Sequence, residues 1–254
     1  GSLNLKYYGA GLSSTTDDNP LEFNIDALFL FQELTVRYPQ ASDFFFGLNY
    51  TYMGSNSTFP KLEDDIPGID DNEFDSNDAG FGLIGRHDSR DIIISPSSGF
   101  FNELILTHNN EIFGGDFNYW QVKAQSFSWW QLTRKVNLGV RFDGRYVTDN
   151  APFYAVPFID MRGIPALRYQ GDFVFVSEIE PRYDLTDRWS LVGFVGSGWT
   201  ANDDDRDVNY SGEVAGGAGI RYLIARRLGM RMGVDIAWGP EDTVVYLTVG
   251  SHWR

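Results

Sequence analysis

Hydrophobic and polar residues alternate along most of this chain. In residues 230–238, Met230, Met232, Val234, Ile236 and Trp238 fall on one side of a two-residue period, and Arg231, Gly233, Asp235 and Ala237 on the other. Residues 243–253 repeat it, with Val245, Leu247, Val249 and Trp253 against Tyr246, Thr248, Gly250 and His252. Residues 137–148 set Leu138, Val140, Phe142 and Tyr146 against Arg141, Asp143 and Arg145. A strand has a side-chain period of two, so each run predicts a strand with one apolar and one polar face. Twelve such runs are legible, at 2–8, 22–38, 44–53, 80–90, 100–108, 117–132, 137–148, 167–183, 190–200, 213–224, 230–238 and 243–253. Few windows have helical period, and Gly, Pro and Asx clusters separate the runs.

A soluble sandwich would show the same alternation with its apolar face inward. Two features favour the inverted, lipid-facing arrangement. Most runs are long enough for a tilted membrane-spanning strand. The polar faces also carry Arg and Asp or Glu at close spacing, as expected where opposite charges neutralise each other inside a lumen. Connection lengths add an independent signal. Those at 39–43, 91–99, 133–136, 184–189 and 225–229 are short or moderate, and between them fall longer ones at 9–21, 54–79, 109–116, 149–166 and 201–212. Only the tight connection at 239–242 breaks the rule. Outer-membrane barrels have short periplasmic turns and longer external loops. The expectation is an all-β, antiparallel transmembrane β-barrel of about twelve strands in a single domain, 1–254, with both termini periplasmic. Its lipid face should include Val140, Phe142, Val234, Ile236, Leu247 and Val249. Its lumen should hold Arg86, Asp88, Arg141, Asp143, Arg221 and Arg231. The stretch 54–79, with eight acids and two prolines, reads as a solvated external loop.

Composition narrows the picture further. No stretch approaches the roughly twenty apolar residues of a spanning helix, which excludes a helical membrane protein but not a barrel. Aromatic residues make up 16% of the chain and there are 27 glycines, fitting a wall with aromatic interfacial girdles and bent strands. The formal charge of −15 repels nucleic acid. With no Cys there is no thiolate site, and His87, His108 and His252 lack metal-ligand spacing. Gly196-Ser197-Gly198 lacks the flanks of a nucleophile elbow. Gly216-Gly217-Ala218-Gly219 precedes no helix and reads as a close-packed strand. Asp203-Asp204-Asp205 lacks the spacing of a calcium loop. No enzyme, metal or cofactor is expected.

One constellation stands out. Met161-Arg162-Gly163-Ile164, in the long connection 149–166, resembles the sixth external loop of the BamA/TamA superfamily of outer-membrane assembly barrels, whose hallmark there is Val-Arg-Gly-Phe or Val-Arg-Gly-Tyr. Arg86-His87-Asp88-Ser89-Arg90-Asp91 resembles the family's Arg-Tyr-Asp-Thr-Arg-Asp strand. Residues 189–198 resemble its glycine-rich strand after the loop, and 217–223 with 233–239 its penultimate hairpin. The end, containing Tyr246, Val249 and Trp253, resembles the aromatic-ended C-terminal strand recognised by the assembly machinery. The resemblance spans about residues 80–253. It implies that the loop folds into the barrel and that Arg162 pairs with acids on the inner wall, first Glu180, with Glu178 on the same face. The family often has a second acid at the position of Gly196; its absence here points to Glu178 or Asp235 instead. The family barrel usually has sixteen strands and follows periplasmic POTRA domains. This chain therefore reads as a short form lacking them, or as one whose first strands are missing.

The resemblance implies a bacterial outer-membrane location and a role in outer-membrane biogenesis, helping to insert or move a protein or lipid, with a weak seam between first and last strands near Gly9, Gly11 and Gly250. Expected partners are outer-membrane lipid and lipopolysaccharide, the barrel assembly machinery, a client protein or lipid, and a second copy in a homodimer. The alternatives are a passive channel or porin, and the membrane anchor of a removed passenger or patatin-type enzyme domain.

Overall fold

The computed structural model describes residues 2–8, 21–39, 42–58, 73–204 and 207–253. They form one antiparallel sheet of twelve strands in strict sequential order. The strands are β1 (Ser2–Tyr7), β2 (Leu21–Arg37), β3 (Phe44–Thr58), β4 (Asp75–Asp88), β5 (Gly99–Asn109), β6 (Tyr119–Gln131), β7 (Val136–Val147), β8 (Phe173–Asp184), β9 (Trp189–Asp204), β10 (Asp207–Ala225), β11 (Met230–Trp238) and β12 (Thr243–Val249). Each pairs only with its sequence neighbours, and among the described residues β1 and β12 are not joined by strand pairing.

The register carries one face unbroken around the sheet. Val140 lies opposite Ile179, Ile179 opposite Val195, and Val195 opposite Gly216, which pairs with Trp238. On this face Phe142, Val234, Ile236, Leu247 and Val249 are exposed, as are Leu104, Leu191 and Val214. Such a belt of exposed large apolar side chains is intolerable in water but suits hydrocarbon. The opposite face is the lumen. There Arg86 meets Glu33 and Glu103, Arg141 and Arg145 meet Asp143, Arg90 meets Asp88, and Arg231 meets Asp184. All six charged residues expected in the lumen are on it.

The structure corrects four expectations. β12 ends at Val249 rather than running to Trp253. Gly250, at φ 85°, turns the chain inward, so Trp253 is buried among Phe101, Phe127 and Trp129 rather than sharing the outer face of Val249. β8 starts at Phe173 rather than at Leu167, because Leu167 has φ 61° and cannot continue a strand. The polar stretch after Gly54 is not wholly loop: the β3–β4 ladder runs out to Asn56 opposite Asp75, and Asp203 and Asp204 belong to β9. Finally, Gly250 lies beyond β12 and does not weaken its pairing, while Gly9 and Gly11 lie outside the described residues.

Candidate functional site in the barrel lumen

The connection between β7 and β8 is a folded loop that enters the barrel. Ile159 N–H donates to the Tyr169 carbonyl and Gly171 N–H to that of Pro157, making a small hairpin around residues 157–171. Its apolar side chains Ile159, Met161, Ile164 and Tyr169 pack on Val174, Val176 and Ala215 of the wall. At its tip, Gly163 has φ 89°, a conformation that any Cβ would strain. Gly163 N–H donates to the Tyr246 hydroxyl at 3.0 Å. Gly239 is just as constrained, since a Cβ there would collide with the Gly163 carbonyl.

This geometry drives Arg162 into the wall, where its side chain is fully buried. One terminal nitrogen donates to Glu178 and, at 2.6 Å, to Glu180; the other donates to Asp235 at 3.1 Å. The guanidinium also lies 3.5 Å from the ring centroid of Phe194. A planar, permanently charged fork suits such a site, because it satisfies several carboxylates at once and cannot escape by deprotonating. Asp235 receives Arg221 as well, at 2.8 Å from Nη2, and the Thr248 hydroxyl at 3.2 Å. Glu178 receives the Trp253 indole N–H at 2.6 Å.

The wall makes room for these groups with glycine. Glu178 lies opposite Gly196, Glu180 opposite Gly139, Asp235 opposite Gly219 and Arg221 opposite Gly233. A Cβ on Gly219 would strike the Asp235 carboxylate, one on Gly233 the Arg221 side chain, and one on Gly139 the Trp253 ring. Gly196 carries no acid because that space belongs to Met161, whose sulfur a Cβ would meet. The cluster therefore draws its carboxylates from Glu178, Glu180 and Asp235 together.

A second contact set lies at the loop's outer end. Phe153 packs with Tyr7, Phe23 and Ile25 of β1 and β2. Arg168 pairs with Glu241 of the β11–β12 connection and lies 4.7 Å from the Tyr8 ring centroid, just beyond β1. Burial opposes the charge on Arg168, but the hydrogen bond and attraction of Glu241 outweigh it, and its pKa rises above the ordinary value. Burial, then the Glu213 and Glu241 carboxylates, raise that of Tyr169. The loop thus touches both ends of the sheet, near β1 and near β12, where among the described residues no strand pairing joins them.

Sequence reasoning brought together Arg162, Glu178, Glu180 and Asp235, and placed Met161 and Ile164 beside them. It missed Phe194, Tyr246 as the acceptor for Gly163, Trp253 as a lumen residue, and the Arg168–Glu241 pair. The glycines opposite each charge were the available signal. Among the described residues, no group of His, Asp and Glu has the arrangement of a metal site.

No family model matches the chain, and no curated protein does. Among solved structures, the chain is similar to BamA from Haemophilus ducreyi in a form lacking POTRA domains 1–3, with a TM-score of 0.62 at 11% identity. The match covers 97% of this chain and 56% of that one, so the chain spans little more than half of that protein's length. At that identity the likeness is one of fold. The fold is therefore that of an antiparallel β-barrel with a BamA-like architecture.

Proposed function

We propose that this chain is the barrel of a BamA/TamA-type factor of the bacterial outer membrane, acting without enzymatic chemistry in the insertion or translocation of a protein or lipid. One observation carries this reading. A lumenal loop is locked by a buried arginine to three wall carboxylates, and it reaches both the first and the last strands, which among the described residues are not joined by strand pairing. A static pore has no use for an unpaired seam, whose open edges invite other strands. A barrel that admits a client from the side does. Lipid, lipopolysaccharide, the assembly machinery, a client polypeptide and a second copy are the partners this role implies.

Depletion of the protein tests the reading. The expected result is loss of other outer-membrane proteins, or of lipid asymmetry, before any loss of solute uptake. Loss of small-solute uptake alone would instead support the porin alternative. That rival draws on the unfilled part of the lumen beside β2–β6, lined by Phe31, Thr51 and Gln121. Single-channel recording separates the two, because the loop and its salt bridges block a through-path on the β7–β12 side. Little or no steady conductance is expected from the unmodified protein.

A further inference from the structure

Two buried side chains on the lumenal wall carry oxygens that lack a partner. Asn49 of β3 and Asn109 of β5 are each 4% exposed, and the Oδ1 of each accepts no hydrogen bond among the described residues. The register explains how they come to face one space. Asn49 lies opposite Gly82 of β4, and Asn109 lies opposite Gly80. A Cβ on Gly82 would strike Asn49 Oδ1, and one on Gly80 would strike Asn109 Oδ1. The two glycines thus leave the middle of the wall to acceptor oxygens. Both asparagines line a cavity of about 360 Å³, a volume within the range of small-molecule sites. A buried acceptor without a donor costs free energy, so each such oxygen points to an occupant that donates to it.

We infer that this cavity binds a small primary alkylammonium ion. The donors nearest the asparagine oxygens are already committed. Asn109 Nδ2 and the Tyr119 hydroxyl both donate to Asp78 at 2.6 Å, and Arg86 donates to Glu33 and Glu103. The first of these bonds also fixes the Asn109 amide: its nitrogen faces Asp78, so its oxygen is the atom left over. The surrounding charge is negative, because the carboxylates of Glu33, Asp78 and Glu103 outnumber Arg86 and Lys123. An ammonium group donates three hydrogen bonds and accepts none, so it serves both oxygens and offsets that charge. Phe29, Phe31 and Ile105 on the same wall suit its alkyl stem, and the aromatic faces attract a cation. A sugar fits less well, since its oxygens need donors where the asparagines offer acceptors. A lipid headgroup brings a phosphate that the carboxylates repel. Water donates too, but it leaves the charge and the apolar wall unmatched. The site requires the barrel wall alone and not the assembly role.

Titration calorimetry of the intact protein in detergent, with protein-free micelles as the blank, tests the site with n-butylammonium at neutral pH. Saturable binding of one ion per barrel is expected. The uncharged n-butanol, of the same length, should bind about tenfold or more weakly, as loss of a charged hydrogen bond implies. Asn49→Leu removes one acceptor and should weaken butylammonium binding by about tenfold or more. Asn49→Ala takes its place if the leucine variant does not run as a folded barrel. N-acetyl-lysinamide carries the same ammonium on a peptide unit and should bind more weakly than butylammonium, because its amide oxygens meet acceptors. Absence of saturable butylammonium binding would overturn the site and leave water as the partner of the two oxygens. Equal binding of butanol, or butylammonium binding unchanged by the Asn49 substitution, would overturn it as well. Tighter binding of N-acetyl-lysinamide would overturn the small amine in favour of a peptide lysine.

Discussion

Replacing Arg162 by alanine probes the lumenal clamp most sharply. The buried group contains two cations, Arg162 and Arg221, and three carboxylates, Glu178, Glu180 and Asp235. Without Arg162, one guanidinium faces three carboxylates, and Glu178 keeps only the Trp253 N–H among the donors described here. The side chains of Arg162, Glu178 and Asp235 are fully buried, so solvent cannot replace the lost donor. Breaking a buried ion pair by removing one partner costs about 3–5 kcal/mol, or roughly two to four powers of ten in the folded-to-unfolded ratio. Arg162→Ala should therefore lose much of its heat resistance in the gel-shift assay that separates folded from unfolded barrels. Arg162→Lys should rescue little of it, because a point charge cannot reach three acceptors as the planar fork does. Combining Arg162→Ala with Glu180→Ala should be much less than additively worse, since the two act through one interaction. If Arg162→Ala withstands heating like the parent, the loop is not clamped, while the barrel assignment would still rest on alternation and register.

Other substitutions test other parts of the structure. Trp253→Ala should destabilise the barrel by about 3–5 kcal/mol, the usual range for truncating a buried Trp, measured by urea unfolding in detergent; a parent-like midpoint would mean that Trp253 does not pack in the lumen. Val234→Arg should cost about 2–4 kcal/mol if Val234 lies near the bilayer midplane, and a neutral effect would overturn the assigned register. Arg168→Gln should cost about 1–3 kcal/mol through the charged acceptor left behind on Glu241, and Glu241→Gln should do nearly the same. Unequal effects from that pair would show that the outer seam contact is not one ion pair.

Much of this architecture was legible from residue order. Strand number followed from alternation because one face meets lipid and the other a charged lumen, so the period of two is visible in runs such as 230–238. The clamp was legible because residues 161–164 resemble the family's loop motif, which implies an arginine paired with the inner wall, and because the parity of Glu178 and Glu180 puts them on one face. The errors have specific physical causes. Alternation continues formally through Gly250 to Trp253, and nothing in a two-residue period reveals that Gly250 takes a positive φ and folds the end inward. Leu167 to Gln170 look strand-like in composition, but Leu167 adopts a left-handed conformation and the loop continues to Asp172. The polar end of the β3–β4 ladder is held by backbone pairing and has no apolar face to betray it. Pairs such as Arg168–Glu241 join residues 73 apart, which one sequence cannot bring together.

Hydrogen exchange of the intact protein in lipid nanodiscs examines the lumenal loop directly. The amides of Ile159, Gly163 and Ile164 donate to Tyr169, the Tyr246 hydroxyl and Met161, and all three residues are buried. They should exchange as slowly as strand amides of β8 and β9, and Arg162→Ala should release them. Exchange of residues 159–164 in the parent at the rate of an open surface loop would contradict a loop locked within the barrel by Arg162.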